Sequence, residues 1–148
     1  ITSSHDDKLK RAEQLGADIL INYETMPAWE TVVHQATGGN GADVVVETVG
    51  GQNLQRSLNA VKMGGHISIV GLLQGFDITI NALTLLHKQA HIRGMEVGST
   101  QDFIEMNRAI EAHDIHPVID KVFAFEETQA AFEYLEQGQH FGKVVIAF

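Results

Sequence analysis

Short runs of Val and Ile recur along this chain at helix-length intervals, and that spacing restricts its fold more than any other feature. Ile19-Leu20-Ile21, Asp43 to Glu47, His66 to Gly71, Ala90 to Val97, Val118 to Phe125 and Lys143 to Phe148 read as strands. Helical segments lie between them. Ser4 is placed to cap the first, with acidic residues in its opening turn, Leu9, Ala12 and Leu15 on its apolar face, and Gly16 at its end. Pro27 reads as the first helical residue of the next, which runs through Trp29, Val32, Val33 and Ala36. Leu54, Leu58 and Val61 mark a third helix face, and Asn81 to Lys88 forms a fourth helix. Thr100 to Ala112 is a fifth, with Phe103, Ile104, Met106 and Ile110 turned inward, and Glu126 to Gln137 a sixth. Nearly continuous apolar strands alternating with helices predict a doubly wound parallel α/β sheet, covered on both faces.

Composition narrows the functional classes. At 148 residues the chain is long enough to bury a core, and its 44% hydrophobic and 20% charged content is that of a globular protein. No apolar run reaches the roughly 20 residues of a membrane span, and no basic-then-apolar leader opens the sequence. Ten Lys and Arg against 19 Asp and Glu leave a net charge of −9, without the electrostatic footprint of a nucleic-acid binder or of a protein drawn to anionic membranes. The absence of cysteine removes disulfides, thiol catalysis and thiolate metal sites from these residues and fits a cytoplasmic protein.

In parallel α/β sheets ligands bind outside the carboxyl ends of the strands. Small or polar residues gather at four such ends: Thr2-Ser3-Ser4, Thr48-Val49-Gly50, Val70-Gly71-Leu72, and Gly94 to Ser99. Any one of these turns needs Gly or Ser for geometry alone; four along one sheet edge point to a ligand. The histidines give no comparable signal. His87 and His91 are four apart but lack the Glu of a zinc helix motif, and His113 and His116 straddle a helix end before Pro117. Ser99 has no His-acid arrangement beside it.

Several segments, taken in order, resemble the medium-chain dehydrogenases/reductases, which include the zinc-type alcohol dehydrogenases and the NADPH quinone reductases. They are Thr2 to Ala12, Leu15-Gly16-Ala17-Asp18, Ile21-Asn22-Tyr23, Gly41 to Gly50, Gly64-Gly65-His66-Ile67 and His140 to Ile146. The resemblance covers essentially the whole chain. It implies a Rossmann-like cofactor domain with strand order 3-2-1-4-5-6, entered at the end of the second strand. Residues 1–98 would be the nucleotide-binding portion, and residues 99–148 would return toward a catalytic domain. The family's first strand, its Gly-rich phosphate turn and its N-terminal catalytic domain have no counterpart here, and Gly38-Gly39-Asn40-Gly41 precedes a strand rather than following one. Zinc ligands, where the family has them, lie in that N-terminal portion. The chain is therefore expected to be the C-terminal part of a longer enzyme and inactive alone.

The resemblance also assigns a cofactor. It aligns Ser3 with the position where NAD-binding folds carry an acid for the ribose 2′-hydroxyl. Ser3 and Ser4 can donate hydrogen bonds to a 2′-phosphate and Lys8 brings a positive charge, so NADP(H) is favoured over NAD(H). Tyr23 matches a tyrosine beside the adenosine phosphate. Thr48, Val49 and Gly50, with Val70, Gly71 and Leu72, match segments that pass the nicotinamide ribose. Met95, Glu96 and Val97 match the stretch whose backbone holds the carboxamide, with the Glu96 side chain turned away; Lys143 matches a basic residue near the pyrophosphate. The implied activity is hydride transfer to or from an alcohol, aldehyde, quinone or enone, with a small-molecule substrate and a homodimer formed through the strand Ile92–Val97. The alternative of another class is a self-contained, non-catalytic nucleotide-binding or regulatory module.

Overall fold

A computed structural model describes all 148 residues, which divide into two units, Ile1–Val97 and Gly98–Phe148. The first unit runs β1 (Thr2–Ser3), α1 (Asp6–Gln14), β2 (Ile21–Asn22), α2 (Trp29–Ala36), β3 (Ala42–Glu47), α3 (Asn53–Ala60), β4 (Val61–Ile69), α4 (Ala82–Lys88) and β5 (His91–Gly94). β1 pairs with β2, and β3-β4-β5 form a three-stranded sheet; every pairing is parallel. The second unit holds α5 (Thr100–Ala112), β6 (Ile119–Ala124), a 3₁₀ turn (Phe125–Glu127), α6 (Thr128–Glu136) and β7 (Lys143–Ala147), with β6 and β7 again parallel. Parallel strands joined by helices bear out the α/β reading.

The core of the first unit is the contact between α3 and the sheet. Leu54 and Leu58, four residues apart on one helix face, pack with Val61 and Ile67, and all four are buried. Val45, Ile69, Leu85 and Ile92 close around them. Each fully buried side chain of this kind contributes about 1.5–3 kcal/mol. Asn81 caps α4 by accepting the Thr84 N–H at 3.0 Å. Lys88, at the far end of α4, donates to the carbonyls of Asn59 (2.7 Å) and Val61 (2.5 Å), which ties α4 to the α3–β4 junction; burial pulls its pKa below the ordinary value.

Several local expectations are corrected. Ser4 does not cap α1: the N-cap is His5, and the Ser4 hydroxyl instead meets His5 Nδ1 at 2.7 Å. Pro27 lies two residues before α2, where its carbonyl accepts from Arg56. Val61 leaves the helix and opens β4, because its ψ of 146° is already extended. Of the Ile19-Leu20-Ile21 run only Ile21 pairs as a strand, joined by Asn22, and the Ala90–Val97 run narrows to His91–Gly94. The sheet is not covered on both faces. Val44 and Val46 on β3 are 57% and 65% exposed. They line a cavity of about 530 Å³ that also touches Ile1 and Thr2 around β1, and Trp29 and Val33 on α2. β1 and β3 share no hydrogen bonds, so each keeps an unpaired edge. In the second unit Phe103, Ile104 and Met106 of α5 are exposed rather than inward. Phe123 and Ala131 are its buried apolar residues, and Tyr134 donates to Asp120 at 2.7 Å.

Candidate functional site

The carboxyl ends of β1 to β5 lie along one edge of the first unit. At β1 and β2 the ladder continues past the strands: Tyr23 N–H donates to the Ser3 carbonyl at 3.1 Å, which sets Ser3, Ser4 and Tyr23 side by side. Ser3 Oγ accepts the His5 N–H at 3.3 Å, so its own hydroxyl proton remains available to a ligand. Lys8 sits in the first turn of α1, half-buried. Two carboxylates share that turn and are both engaged: Asp6 accepts from Asn22 Nδ2 at 2.6 Å, and Asp7 from Lys10 at 3.4 Å.

At the β3 and β4 ends the backbone is packed tightly. A Cβ on Gly71 would lie 2.5 Å from the Thr48 carbonyl oxygen, and Gly50, at φ +68°, would put a Cβ 2.8 Å from Leu72. Val70 N–H donates to the Glu47 carbonyl and Met95 N–H to that of Ile69, both at 2.8 Å, so the three turns step across the sheet as one continuous lip. Met95, Glu96 and Val97 follow β5 with exposed side chains. The two sheets meet at this edge. Thr2 and Tyr23 from the β1–β2 side, with Val49 from the turn after β3 and Asn53 from α3, line a cavity of about 240 Å³ with Trp29 and Arg56. Arg56 is tied at its rim to Glu30 (3.1 Å).

Thus Ser3, Ser4, Tyr23, Thr48, Val49, Gly50, Val70, Gly71 and Leu72 gather along one edge, with Lys8 one helical turn behind. Lys143 is different: it opens β7 in the second unit, where its N–H donates to the Val118 carbonyl at 2.8 Å. The residue that sequence reasoning missed is Glu47. It was legible only as the last residue of an apolar strand, yet its buried carboxylate holds the Thr48–Gly50 turn in place. An acid terminating a Val run just before a Gly-containing turn is the signal that was available.

The polar lip, the glycines that admit a close backbone approach and the cavity between the sheets suit a nucleotide's sugars, phosphates and base. Zinc does not fit in the same way, because no three His, Asp or Glu side chains converge. No helix is long and apolar enough to cross a membrane.

Comparison with known proteins agrees with this architecture. The model of the zinc-binding dehydrogenase family matches residues 15–146. A zinc-type alcohol dehydrogenase-like protein of Schizosaccharomyces pombe is 40% identical over 99% of this chain and 43% of its own length. The 2-haloacrylate reductase of a Burkholderia species is 29% identical over 98% of this chain and 46% of its own. Among solved structures, one entitled an NAD-dependent alcohol dehydrogenase superposes with a TM-score of 0.87 at 34% identity, across 99% of this chain and 43% of that one. The chain thus spans less than half the length of these relatives. The family model covers residues 15–146, and so reaches into both units, and on that ground the chain belongs to the zinc-binding dehydrogenase family.

Proposed function

We propose that this chain supplies the dinucleotide-binding portion of an oxidoreductase that transfers hydride between NADP(H) and a small alcohol, aldehyde, quinone or enone. Family membership supports the reaction class, as do the alcohol dehydrogenase and reductase names of its relatives. The cofactor preference rests on one observation: the end of β1 presents two serine hydroxyls beside Tyr23, with Lys8 behind them, where a carboxylate would receive the ribose 2′-hydroxyl of NAD(H). Serine donors and a lysine cation favour the 2′-phosphate instead.

In this reading Ser3, Ser4 and Lys8 hold the phosphate-bearing ribose and Tyr23 flanks it. The Thr48–Gly50 and Val70–Leu72 turns carry the nicotinamide-side ribose, and the backbone of Met95, Glu96 and Val97 orients the carboxamide. The bound cofactor supplies the hydride; the chain's residues bind it and fix its ring against substrate. Zinc, where the complete enzyme uses it, is held by residues outside this chain. β5 pairs with β4 on one side only, and its other edge, continued to Val97, is the surface for a second copy.

The test is equilibrium binding of NADPH and NADH to the complete enzyme, followed by cofactor fluorescence. Tighter binding of NADPH is expected. Tighter binding of NADH overturns the cofactor preference, and binding of neither overturns the dinucleotide reading and favours a module of another kind.

A further inference from the structure

Glu47 is 2% exposed, and an isolated carboxylate is too costly to bury without partners. Its partners are of two kinds. Oε1 accepts the backbone N–H of Val49 at 2.8 Å and of Gly50 at 3.0 Å. Oε2 accepts the Ser57 hydroxyl, and Asn53 Nδ2 bridges both oxygens at 3.1 and 2.9 Å. Asn53 and Ser57 belong to α3, whereas Val49 and Gly50 are the strand-end turn.

The two peptide groups of that turn are held from both sides. The 48–49 peptide gives its N–H to Glu47 and aims its carbonyl at Gly71, close enough that only a glycine fits opposite. The 49–50 peptide also gives its N–H to Glu47, and its carbonyl accepts the Gln74 N–H at 2.8 Å. With both planes fixed, the Thr48 side chain stays at the exposed edge and Val49 at the cavity wall. Helix α3 could be anchored without contacting these two amides; Glu47 joins the helix to the turn.

We infer that Glu47 is a positioning residue for the dinucleotide, one that preorganises the Thr48–Gly50 turn through the Val49 and Gly50 amides before any ligand binds. This rests on the reading of the strand edge as a cofactor site. Glu47 touches no cofactor atom in this role. It determines where the residues that do are placed.

Glu47→Gln leaves only a neutral acceptor for the two turn amides and sets a donor against the Asn53 amide donor, which pushes the side chain off the turn, and Glu47→Asp keeps the charge but withdraws it from the turn by one methylene. In the complete enzyme, Glu47→Gln is expected to weaken NADPH and NADH together by roughly tenfold, the scale of one lost charge-assisted hydrogen bond. The NADPH/NADH ratio stays unchanged, because this turn does not read the 2′-phosphate, and the KM for cofactor rises more than kcat falls. Glu47→Asp should recover part of the affinity. Ile67→Val, a core change beneath the same sheet, should lower the melting temperature without moving either Kd. Glu47 variants that bind both cofactors like wild type overturn the positioning role alone. A wild type that binds neither cofactor overturns the underlying site reading. Amide exchange on the wild-type enzyme decides the matter even if both Glu47 variants fail to fold: Val49 and Gly50 should exchange slowly before cofactor is added. Protection that appears only with cofactor contradicts preorganisation.

Discussion

Gly71 and Thr48 approach so closely that a Cβ on Gly71 would stand 2.5 Å from the Thr48 carbonyl oxygen and 3.2 Å from its carbonyl carbon. The obstacle is backbone, which cannot rotate away as a side chain would. β3 and β4 pair in parallel through Glu47 and Ile69, so the two turns leave the sheet side by side. The closeness of Gly71 to Thr48 is therefore a consequence of register.

Gly71→Ala should accordingly cost about 1–3 kcal/mol of stability, the usual range for overpacking. It should also weaken cofactor binding, since the Thr48–Gly50 turn must shift to make room. Gly94→Ala is the informative comparison: a Cβ there meets nothing within 4 Å, and that variant should melt like wild type. Thermal denaturation of both variants checks the pair.

Cofactor selection should be reversible at the end of β1. Ser3→Asp places a carboxylate a few ångströms from the proposed 2′-phosphate. Unit charges ~5 Å apart interact by roughly 3 kcal/mol at an effective dielectric near 20, before salt and rearrangement reduce the effect. A net loss of ~1–3 kcal/mol is expected, about ten- to a hundredfold in NADPH affinity. NADH should gain, because the carboxylate can accept from the free ribose hydroxyl. Lys8→Ala should weaken NADPH more than NADH. Dissociation constants for both cofactors in the complete enzyme decide it; an unchanged NADPH/NADH ratio in both variants displaces the pocket from this strand end.

The start of α5 makes a pH-dependent contribution of defined sign. Ser99 and Asp102 form a reciprocal capping box: Ser99 Oγ accepts the Asp102 N–H at 3.2 Å, and the Asp102 carboxylate accepts from Ser99 N–H and Oγ–H, both at 2.7 Å. Those bonds to Ser99 hold the Asp102 pKa below its ordinary 3.8. A carboxyl whose folded pKa is depressed contributes fully above the unfolded value and loses that contribution as pH falls through the folded one. Helicity of α5 should decline below about pH 4, and Asp102→Asn should flatten that decline. Ser99→Ala should cost about 1 kcal/mol at neutral pH, the typical value of an N-cap. Circular dichroism against pH for wild type and both variants checks all three.

The 148-residue chain alone should show no dehydrogenase or reductase turnover and should bind NADPH weakly at best. β1 and β3 each keep an unpaired edge around a largely apolar cavity, so no hydrogen-bonded ladder holds the two parts of the proposed site together. Activity assays of the isolated chain with both cofactors are the check. Turnover at the rate of a complete enzyme contradicts this account of the division of labour.

Periodicity alone determined the existence and order of the main elements. Val44 to Glu47 and Ile67 to Ile69 read as parallel strands and form them, and Leu54 and Leu58 have no better partner than such a sheet. The Gly and Ser residues at the strand ends marked the candidate edge for an equally local reason: turns there need small residues, and small residues leave space at the edge. Boundaries were less legible. Val61 has the side chain of a helix face and the backbone of a strand, and only pairing with Ala42 decided between them. The exposure of Val44, Val46, Phe103 and Met106 was beyond reach as well, because an apolar residue specifies that it wants cover and says nothing about what supplies it. Most of all, the role of Glu47 required the fold. Its donors lie two, three, six and ten residues further along the chain, and they converge on one carboxylate only when β3, its turn and α3 are packed together. Local sequence sets backbone preference and apolar pattern; tertiary packing sets which polar atoms are left facing one another once water is gone, as the donors around Glu47 are.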